Sequence, residues 1–194
     1  MATKSDALNA FPRNIKLNDG REATVRLMEA ADRNRIVEFA KALPEDDLLF
    51  LRTDITDPAV VDEWIGAIKS GHTVSLLAEV DDKVAAYASV HMMPARWTRR
   101  VGEIRVNVAP RLRGSGLGRR LISDIFEVAQ ALGLKKISAQ MTLDQNAARK
   151  AFERLGFQVE AVLADWVEDR HGQPRDLLVM AHDVSGFHDQ VVAR

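Results

Sequence analysis

Three closely spaced glycines flanked by arginines are the residues of this chain best suited to holding a ligand. Gly114, Gly116 and Gly118 lie between Arg113 and Arg119, directly after an apolar run. Glycines let the backbone approach a ligand without a Cβ in the way. If a helix starts here, the amides of its first turn have no partner within the helix and attract anions. The segment therefore predicts a phosphate-binding turn, with guanidinium groups converging on the same anion.

The spacing of these glycines excludes two common nucleotide-binding loops. A dinucleotide-binding loop needs Gly-x-Gly-x-x-Gly, and its third glycine position is Arg119 in this chain. A Walker loop needs Gly-Lys-Ser or Gly-Lys-Thr, and neither follows the glycines. The residues alone leave two interpretations. The segment is either another kind of phosphate-binding turn or a tight connection whose glycines only relieve strain.

A second motif further along the chain supports the phosphate interpretation. It reads Asn-Ala-Ala-Arg-Lys-Ala-Phe-Glu-Arg-Leu-Gly-Phe over residues 146–157. Together with Arg113-x-x-Gly116-x-Gly118, it resembles the coenzyme A loop and the Asn-x-x-Ala helix of the GNAT superfamily of acyl-CoA-dependent N-acyltransferases. The resemblance covers roughly residues 22–184. It implies an N-acetyltransferase with acetyl-CoA as its cosubstrate and no metal.

The resemblance also assigns cofactor contacts along the chain. It implies that Val106, Asn107 and Val108 lend backbone groups to the pantetheine arm, and that Asn146 contacts the cofactor. The pyrophosphate would be cradled by the turn and its flanks, namely Arg113, Gly114, Ser115, Gly116, Leu117, Gly118 and Arg119. The alternative is that the two valines are only core strand residues and that Asn146 is only a first-turn helix residue.

An acyl thioester is already activated, so the amine can attack it directly in a ternary complex, provided that a group removes the amine's proton. The chain contains no cysteine, which excludes an acyl-cysteine intermediate. Glu103 is the first candidate for the proton acceptor, because it lies on the strand that leads into the glycine turn, where the family often places a carboxylate. Alternatively, Glu103 only pairs with Arg105 on the same face of the strand. His91 is a second candidate, with a surface role as its alternative.

One position departs from the family's pattern. The family often uses a tyrosine on the second motif's helix to protonate the leaving thiolate, and the matching residue is Phe152. The chain's single tyrosine, Tyr87, falls on a strand elsewhere. A thiolate leaves without full protonation near neutral pH, so the enzyme remains the leading hypothesis. The rival is a non-catalytic acyl-CoA-binding module that regulates a partner.

The acceptor is expected to be a primary amine, either of a small molecule or of a protein lysine. Acidic residues surround the two regions where the family binds its acceptor, which favours a cationic amine; these residues are Glu45, Asp46, Asp47, Asp54, Asp57, Asp165, Glu168 and Asp169. The alternative is a solvated charged surface. Trp64, Trp97 and Trp166 are large enough to line an acceptor pocket, although tryptophan at helical spacing is more often a core residue.

Periodicity predicts the elements that position these residues. Strands are expected at 22–28, 73–80, 83–91, 100–108, 135–141, 157–167 and 177–184, with Asp81-Asp82 as a hairpin turn. Helices are expected from Asp32 to Ala42, at 45–51, from Asp57 to Gly71, at 116–132 and at 144–155, with Asp32 and Asp57 as N-terminal caps. The fold class is mixed α/β, with a mostly antiparallel sheet of about six or seven strands, flanking helices and one parallel βαβ unit around the glycine turn.

Composition limits the remaining possibilities. The chain has 194 residues, a formal net charge of −1 and 46% hydrophobic residues. These values predict one globular domain, over residues 21–194, which the resemblance implies is an acyltransferase domain. Residues 1–20 show no sustained periodicity and are expected to be a loosely structured lead-in. The near-zero net charge argues against nucleic acid or a membrane surface as a partner. No apolar run suggests a signal peptide or membrane span, so a cytoplasmic location is expected. The sequence leaves the oligomeric state open, a homodimer included.

Overall fold

The computed structural model describes residues 4–49, 53–93, 95–169 and 171–184. In chain order, its strands are β1 (Arg13–Lys16), β2 (Glu22–Leu27), β3 (Thr73–Val80), β4 (Lys83–Met92), β5 (Val101–Val108), β6 (Lys136–Thr142), β7 (Gln158–Glu168) and β8 (Pro174–Asp183). Its helices are α1 (Lys4–Asn9), α2 (Arg33–Lys41), α3 (Glu45–Leu49), α4 (Pro58–Lys69), α5 (Leu117–Ala131) and α6 (Asn146–Glu153).

The eight strands form one sheet in the order β1-β2-β3-β4-β5-β6-β8-β7. Neighbouring strands are antiparallel except β5 and β6, which are parallel. Helix α5 connects these two strands, which makes the predicted βαβ unit, since parallel neighbours need a crossover. The predicted mixed, mostly antiparallel fold is confirmed, with one strand more than the seven that periodicity indicated.

The additional strand lies in the segment predicted as a loose lead-in. Residues 4–20 contain α1 and β1, and β1 pairs with β2 from Arg13↔Val25 to Lys16↔Glu22. Arg13 also contacts the buried Asp124 of α5, with 3.0 Å between Nη1 and Oδ1. The lead-in prediction is wrong for these residues because four residues are too few to show an alternating pattern, and a distant ion pair leaves no trace in the local sequence.

Helix starts show one correct and one wrong prediction. Asp57 caps α4 as expected, since its Oδ1 accepts a hydrogen bond from the Ala59 amide at 2.8 Å and Pro58 follows. Asp32 does not cap α2. A 3-10 turn over Ala30–Asp32 precedes the helix, and the Asp32 carboxylate instead accepts from the Glu29 amide at 2.9 Å and from Arg26. Part of the predicted helix at 45–51 lies outside the described residues.

Two apolar clusters cover the two faces of the sheet. One packs α5 and α6 against one face and includes Leu121, Ile125 and Phe152. The other packs α2 and α4 against the opposite face of β3 and β4 and includes Ile36 and Val61. No helix among the described residues has the length and apolar character needed to cross a bilayer. The candidate site lies where the pairing of β5 with β6 ends and the sheet is open.

Candidate functional site

Strands β5 and β6 start as neighbours and then separate. They pair over three positions, from Val101↔Lys136 to Glu103↔Ser138. Beyond these pairs, residues 104–108 and 139–142 line the two sides of a cleft of about 1340 Å³. A gap between adjacent parallel strands leaves backbone polar groups without a strand partner, which favours a ligand that can supply hydrogen bonds in the manner of a strand.

The register of β4 and β5 shows which backbone groups face the gap. The Ala109 amide donates to the Ala85 carbonyl at 2.9 Å, and backbone direction alternates along a strand. Val106 and Val108 therefore direct their N–H and C=O groups away from β4, into the gap. Asn107 differs from the prediction, since its backbone groups face β4 and its side chain lines the cleft instead.

The glycine turn closes one end of the gap and opens α5, as predicted. Gly116 precedes the helix with a left-handed φ of 87°, a conformation that is strained for residues with a side chain. A Cβ there would also lie 3.0 Å from the side-chain nitrogen Nδ2 of Asn18. Gly118 lies in the first turn, and its Cβ would lie 3.2 Å from Val108 Cγ2. The two glycines therefore allow the N-terminus of the helix to lie close to β5 and to the Asn18 side chain.

The other predicted members of the turn divide into two groups. Arg113, Gly114 and Arg119 line the cleft. Ser115 and Leu117 have buried side chains, and the Ser115 hydroxyl donates to the Leu112 carbonyl at 2.6 Å. Their backbone amides are engaged as well, since the Ser115 amide donates to the Leu112 carbonyl at 3.3 Å and the Leu117 amide donates to Ser115 Oγ at 3.4 Å.

Arg113 already has a carboxylate partner. Its Nη2 makes a close contact with Asp47 Oδ2 on α3, and its Nε donates to the Val108 carbonyl at 3.4 Å. Asp47 also lines the cleft. An anion bound at the glycine turn would therefore compete with Asp47 for this guanidinium group.

A row of polar side chains crosses β4 and β5 on the face away from α5. Gly118 of α5 lies against Val108, so odd-numbered β5 side chains point to the other face. Three cross-strand pairs result, and all of their members line the cleft: Tyr87 with Asn107, Ser89 with Arg105, and His91 with Glu103. The structure thus brings both candidate proton acceptors together.

Each candidate proton acceptor has contacts of its own. Glu103 Oε1 accepts from Arg105 Nε at 2.8 Å, which is the ion pair considered from the sequence. His91 contacts hydroxyls through both ring nitrogens, with Nδ1 3.1 Å from Thr73 Oγ1 and Nε2 2.7 Å from Ser89 Oγ. Both candidates are therefore held by neighbouring side chains, the imidazole by two hydroxyls and the Glu103 carboxylate by Arg105.

The second motif reaches the cleft through α6. Asn146 begins the helix, lines the cleft and donates to the Asp144 carbonyl at 3.3 Å. The Phe152 ring is 6% exposed and packs edge-on against Phe157, with 5.0 Å between ring centroids.

Burial raises the pKa of the chain's one tyrosine, Tyr87, well above its usual range, against a smaller opposing effect of Arg105. Its hydroxyl therefore stays protonated.

The three tryptophans have different positions. Trp64 lies on α4, donates from Nε1 to Ser75 Oγ at 3.0 Å and packs against Tyr87. Trp166 lies on β7 and lines the cleft although it is 66% exposed. Trp97 is 89% exposed and does not line the cleft, so the structure places it neither in this cleft nor in the core. A solvent-exposed turn cannot be distinguished from a pocket by residue type alone.

The predicted acidic residues divide in the same way. Asp47 and Glu168 line the cleft. Asp54, Asp57 and Asp169 instead hold local turns through hydrogen bonds to Thr56, Ala59 and Gln173. The Asp46 side chain lies outside the described residues. No group of three or more histidine, aspartate or glutamate side chains in the described part of the chain is arranged to hold a metal.

The sequence interpretation missed two acidic residues in the cleft, Asp144 and Glu63. Glu63 lies on α4 and lines the cleft together with Val60, Trp64 and Ala67. These four residues have the i, i+3, i+4, i+7 spacing of one helical stripe. A charged residue inside an otherwise apolar stripe was the signal that could have identified it.

Comparisons with known proteins agree with this geometry. Residues 40–157 match the family model described as "Acetyltransferase (GNAT) family". The chain is 25% identical over 167 residues to the Bacillus subtilis (strain 168) protein named "Putative phosphinothricin acetyltransferase YwnH", a match that covers 84% of this chain and 99% of that protein.

Two solved structures share the fold. A GNAT-family acetyltransferase from Streptococcus pneumoniae superposes with a TM-score of 0.74 at 20% identity, covering 83% of this chain and 99% of that one. YncA from Salmonella typhimurium, solved "with its cofactor Acetyl-CoA", also gives a TM-score of 0.74, at 24% identity and with coverage of 84% and 95%. The parted strands, the glycine turn and the matched residues identify the chain as an acetyltransferase of the GNAT family.

Proposed function

We propose that this enzyme transfers an acetyl group from acetyl-CoA to a primary amine by direct attack in a ternary complex. The observation that carries the proposal is the separation of β5 from β6 beside the N-terminus of α5. It places open strand backbone and an anion-binding turn in one cleft. These two features suit a ligand with an amide-containing arm and a pyrophosphate.

The chain's residues fit the cosubstrate in two stretches. The backbone groups of Val106 and Val108 would bind the amides of the pantetheine arm, as a neighbouring strand would. The backbone of Gly114, Gly116 and Gly118, with Arg113 and Arg119, would bind the pyrophosphate. Asn146, at the start of α6, would add a side-chain contact from the far side of the cleft.

A charged amine loses two protons in the reaction, one before its nitrogen can attack and one as the amide forms, and coenzyme A leaves as a thiolate. Acetyl-CoA supplies an activated thioester, so its carbonyl carbon bonds to the amine nitrogen as the bond to sulfur breaks. Glu103 is the proposed proton acceptor, because its carboxylate lines the cleft next to the point where the strands part. Arg105 would hold that carboxylate in place through the 2.8 Å contact.

The acceptor proposed here is a positively charged amine, of a small molecule or of a protein lysine. Glu63 on α4 and Glu168 on β7 contribute carboxylates to two walls of the cleft. Arg175, which lines the same region, is paired with Asp169 at 3.1 Å. The Glu63 and Glu168 carboxylates are the support for a cationic acceptor.

Calorimetry with acetyl-CoA tests the cofactor half of the proposal. Replacing the cleft residue Arg119 by Ala is expected to weaken binding about tenfold or more, because a charged hydrogen bond to the pyrophosphate is lost. The matched control is Arg111→Ala, an exposed arginine of the same loop that does not line the cleft. Equal affinity in both variants would remove the pyrophosphate assignment.

Two-substrate kinetics test the transfer half. Direct attack predicts intersecting lines in double-reciprocal plots of rate against amine and acetyl-CoA concentrations, because both substrates must be bound together. Parallel lines would indicate an acetylated enzyme and contradict the ternary complex.

A further inference from the structure

The hairpin of β7 and β8 contains an irregularity beside the cleft. The strands pair at Leu163↔Leu177 and pair again at Val167↔Arg175. Three residues of β7 therefore lie opposite the single residue Asp176. Such a bulge bends the strand and redirects the side chains within it.

A side chain from β8 holds this bulge. Asp165, its central residue, has a φ of 52°, which side-chain-bearing residues rarely adopt. Its amide donates to Asp176 Oδ1 at 3.1 Å. The uncommon backbone conformation is thus stabilised by a specific hydrogen bond, and such conformations are concentrated at functional sites.

The bulge places Trp166 at the edge of the cleft. This side chain is 66% exposed, and the next two residues, Val167 and Glu168, line the cleft with it. An exposed tryptophan is energetically unfavourable, because burial of its large apolar surface would stabilise the protein. Its position is explained if the ring covers a ligand that enters the cleft.

The charges around Trp166 indicate what kind of ligand. Glu168 lies two residues away, and Glu63 lines the wall formed by α4. The nearby cation Arg175 contacts Asp169 through both Nε and Nη2, at 3.2 and 3.1 Å. An aromatic face beside carboxylates attracts an ammonium group.

We infer that Trp166 is an acceptor-recognition residue that binds a second positive charge on the amine substrate. The inference rests on the proposed function, in which one amine of the acceptor reacts beside Glu103. The second ammonium group then lies against the Trp166 ring, near Glu168. The acceptor class is a diamine or a longer amine with two cationic groups.

Matched acceptors test this role. Wild-type enzyme is expected to have a higher kcat/KM for diaminobutane than for butylamine, which has the same carbon chain and one amine fewer. Trp166→Ala should lower the ratio of kcat/KM for the diamine to kcat/KM for butylamine roughly two- to thirtyfold, the range of a lost cation–π contact. Trp166→Phe should retain part of the preference, and Trp97→Ala, outside the cleft, should retain all of it.

Variants of the bulge test the positioning of the ring. Asp176→Ala removes the acceptor for the Asp165 amide and should reduce the preference for the diamine while the tryptophan is still present. Asp176→Asn keeps an oxygen at that position and should restore the preference. If both variants behave like wild type, the bulge does not position the ring.

Tryptophan fluorescence measures binding of the diamine in the absence of turnover. Diaminobutane added to the complex with coenzyme A should quench tryptophan emission in Trp97→Phe, and the quenching should disappear when Trp166→Phe is added. Absence of quenching, or an equal loss of both substrates in Trp166→Ala, would overturn the inference. Acetyl-CoA binding and amine turnover that persist in that case leave the proposed function intact, so the two failures are distinguishable.

Discussion

Glu103 is the residue on which the proposed chemistry depends, and it takes part in two arrangements. Its carboxylate accepts a hydrogen bond from Arg105, and it also lines the cleft opposite His91. The two interpretations made from the sequence are therefore compatible, with the ion pair serving to orient the proposed base.

Replacing Glu103 by Gln separates these roles. The change should lower kcat about 10²- to 10³-fold, because it removes a general base without changing the side chain's size, and it should leave acetyl-CoA affinity unchanged. The measurement is steady-state kinetics together with calorimetry. If Arg105→Gln causes the same loss of kcat, Glu103 acts through the ion pair rather than as the base.

The Asp47 carboxylate, which is paired with Arg113, is expected to weaken acetyl-CoA binding. Asp47→Asn should strengthen acetyl-CoA binding about two- to fivefold, because it frees Arg113 and removes a negative charge near the pyrophosphate site, although partly exposed pairs are worth little. Calorimetry measures the change. Asp62→Asn removes a carboxylate paired with Arg33 outside the cleft and should have no effect. Weaker binding in Asp47→Asn would contradict the proposed competition.

At the scale of elements, the strand, turn and helix around the glycines could be predicted because their signals are local. The apolar alternation of β5, the glycine spacing and the stripe on α5 are all legible within residues 100–132. The end of the β5–β6 pairing is not local, since it depends on strands that are distant in sequence. The bulge at Asp165 and the exposure of Trp97 likewise depend on partners that periodicity does not reveal.

The contact between β5 and its surroundings gives a prediction for stability. A Cβ on Gly102 would lie 2.6 Å from Leu134 Cδ1 and 2.9 Å from Val90 Cγ2. Gly102→Ala should therefore lower the free energy of unfolding by about 1–3 kcal/mol through overpacking. Urea unfolding followed by circular dichroism measures it.

The control for this change is Gly66→Ala on α4. Gly66 is exposed, and a Cβ there meets nothing within 4 Å. Alanine should raise the free energy of unfolding by about 0.5–1 kcal/mol, because glycine loses more conformational freedom in a helix. Equal effects of the two substitutions would show that the packing around β5 is looser than described.

For the whole molecule, buried charges connect segments that are far apart in sequence. Arg26 on β2 contacts Asp32 and Glu79, each at 2.6 Å. Burial opposes ionisation of both carboxylates, but hydrogen bonds from Arg26, together with the Glu29 amide for Asp32 and Arg35 for Glu79, lower the pKa of each below its usual value. Ionised carboxylates therefore stabilise the folded state.

This network predicts the direction of the response to acid. A lowered pKa in the folded state gives stability that is complete above the ordinary values of 3.8 and 4.5 and is lost as the pH falls through the folded-state values. Glu79→Gln should reduce the pH dependence of the free energy of unfolding in this acidic range. Glu22→Gln, at an exposed position on β2, should not. Identical pH profiles for Glu79→Gln and wild type would contradict the role of the network.

The gap between β5 and β6 is the part of the fold in which the proposed reaction takes place. The most direct test of the account is to measure coenzyme A release from acetyl-CoA with and without a panel of cationic amines, and to identify the products by mass spectrometry. If the enzyme transfers acetyl groups to amines as proposed, one coenzyme A is released for each acetylated amine, and release is greatly reduced in Glu103→Gln. Tight binding of acetyl-CoA with no amine-dependent release would contradict this proposal.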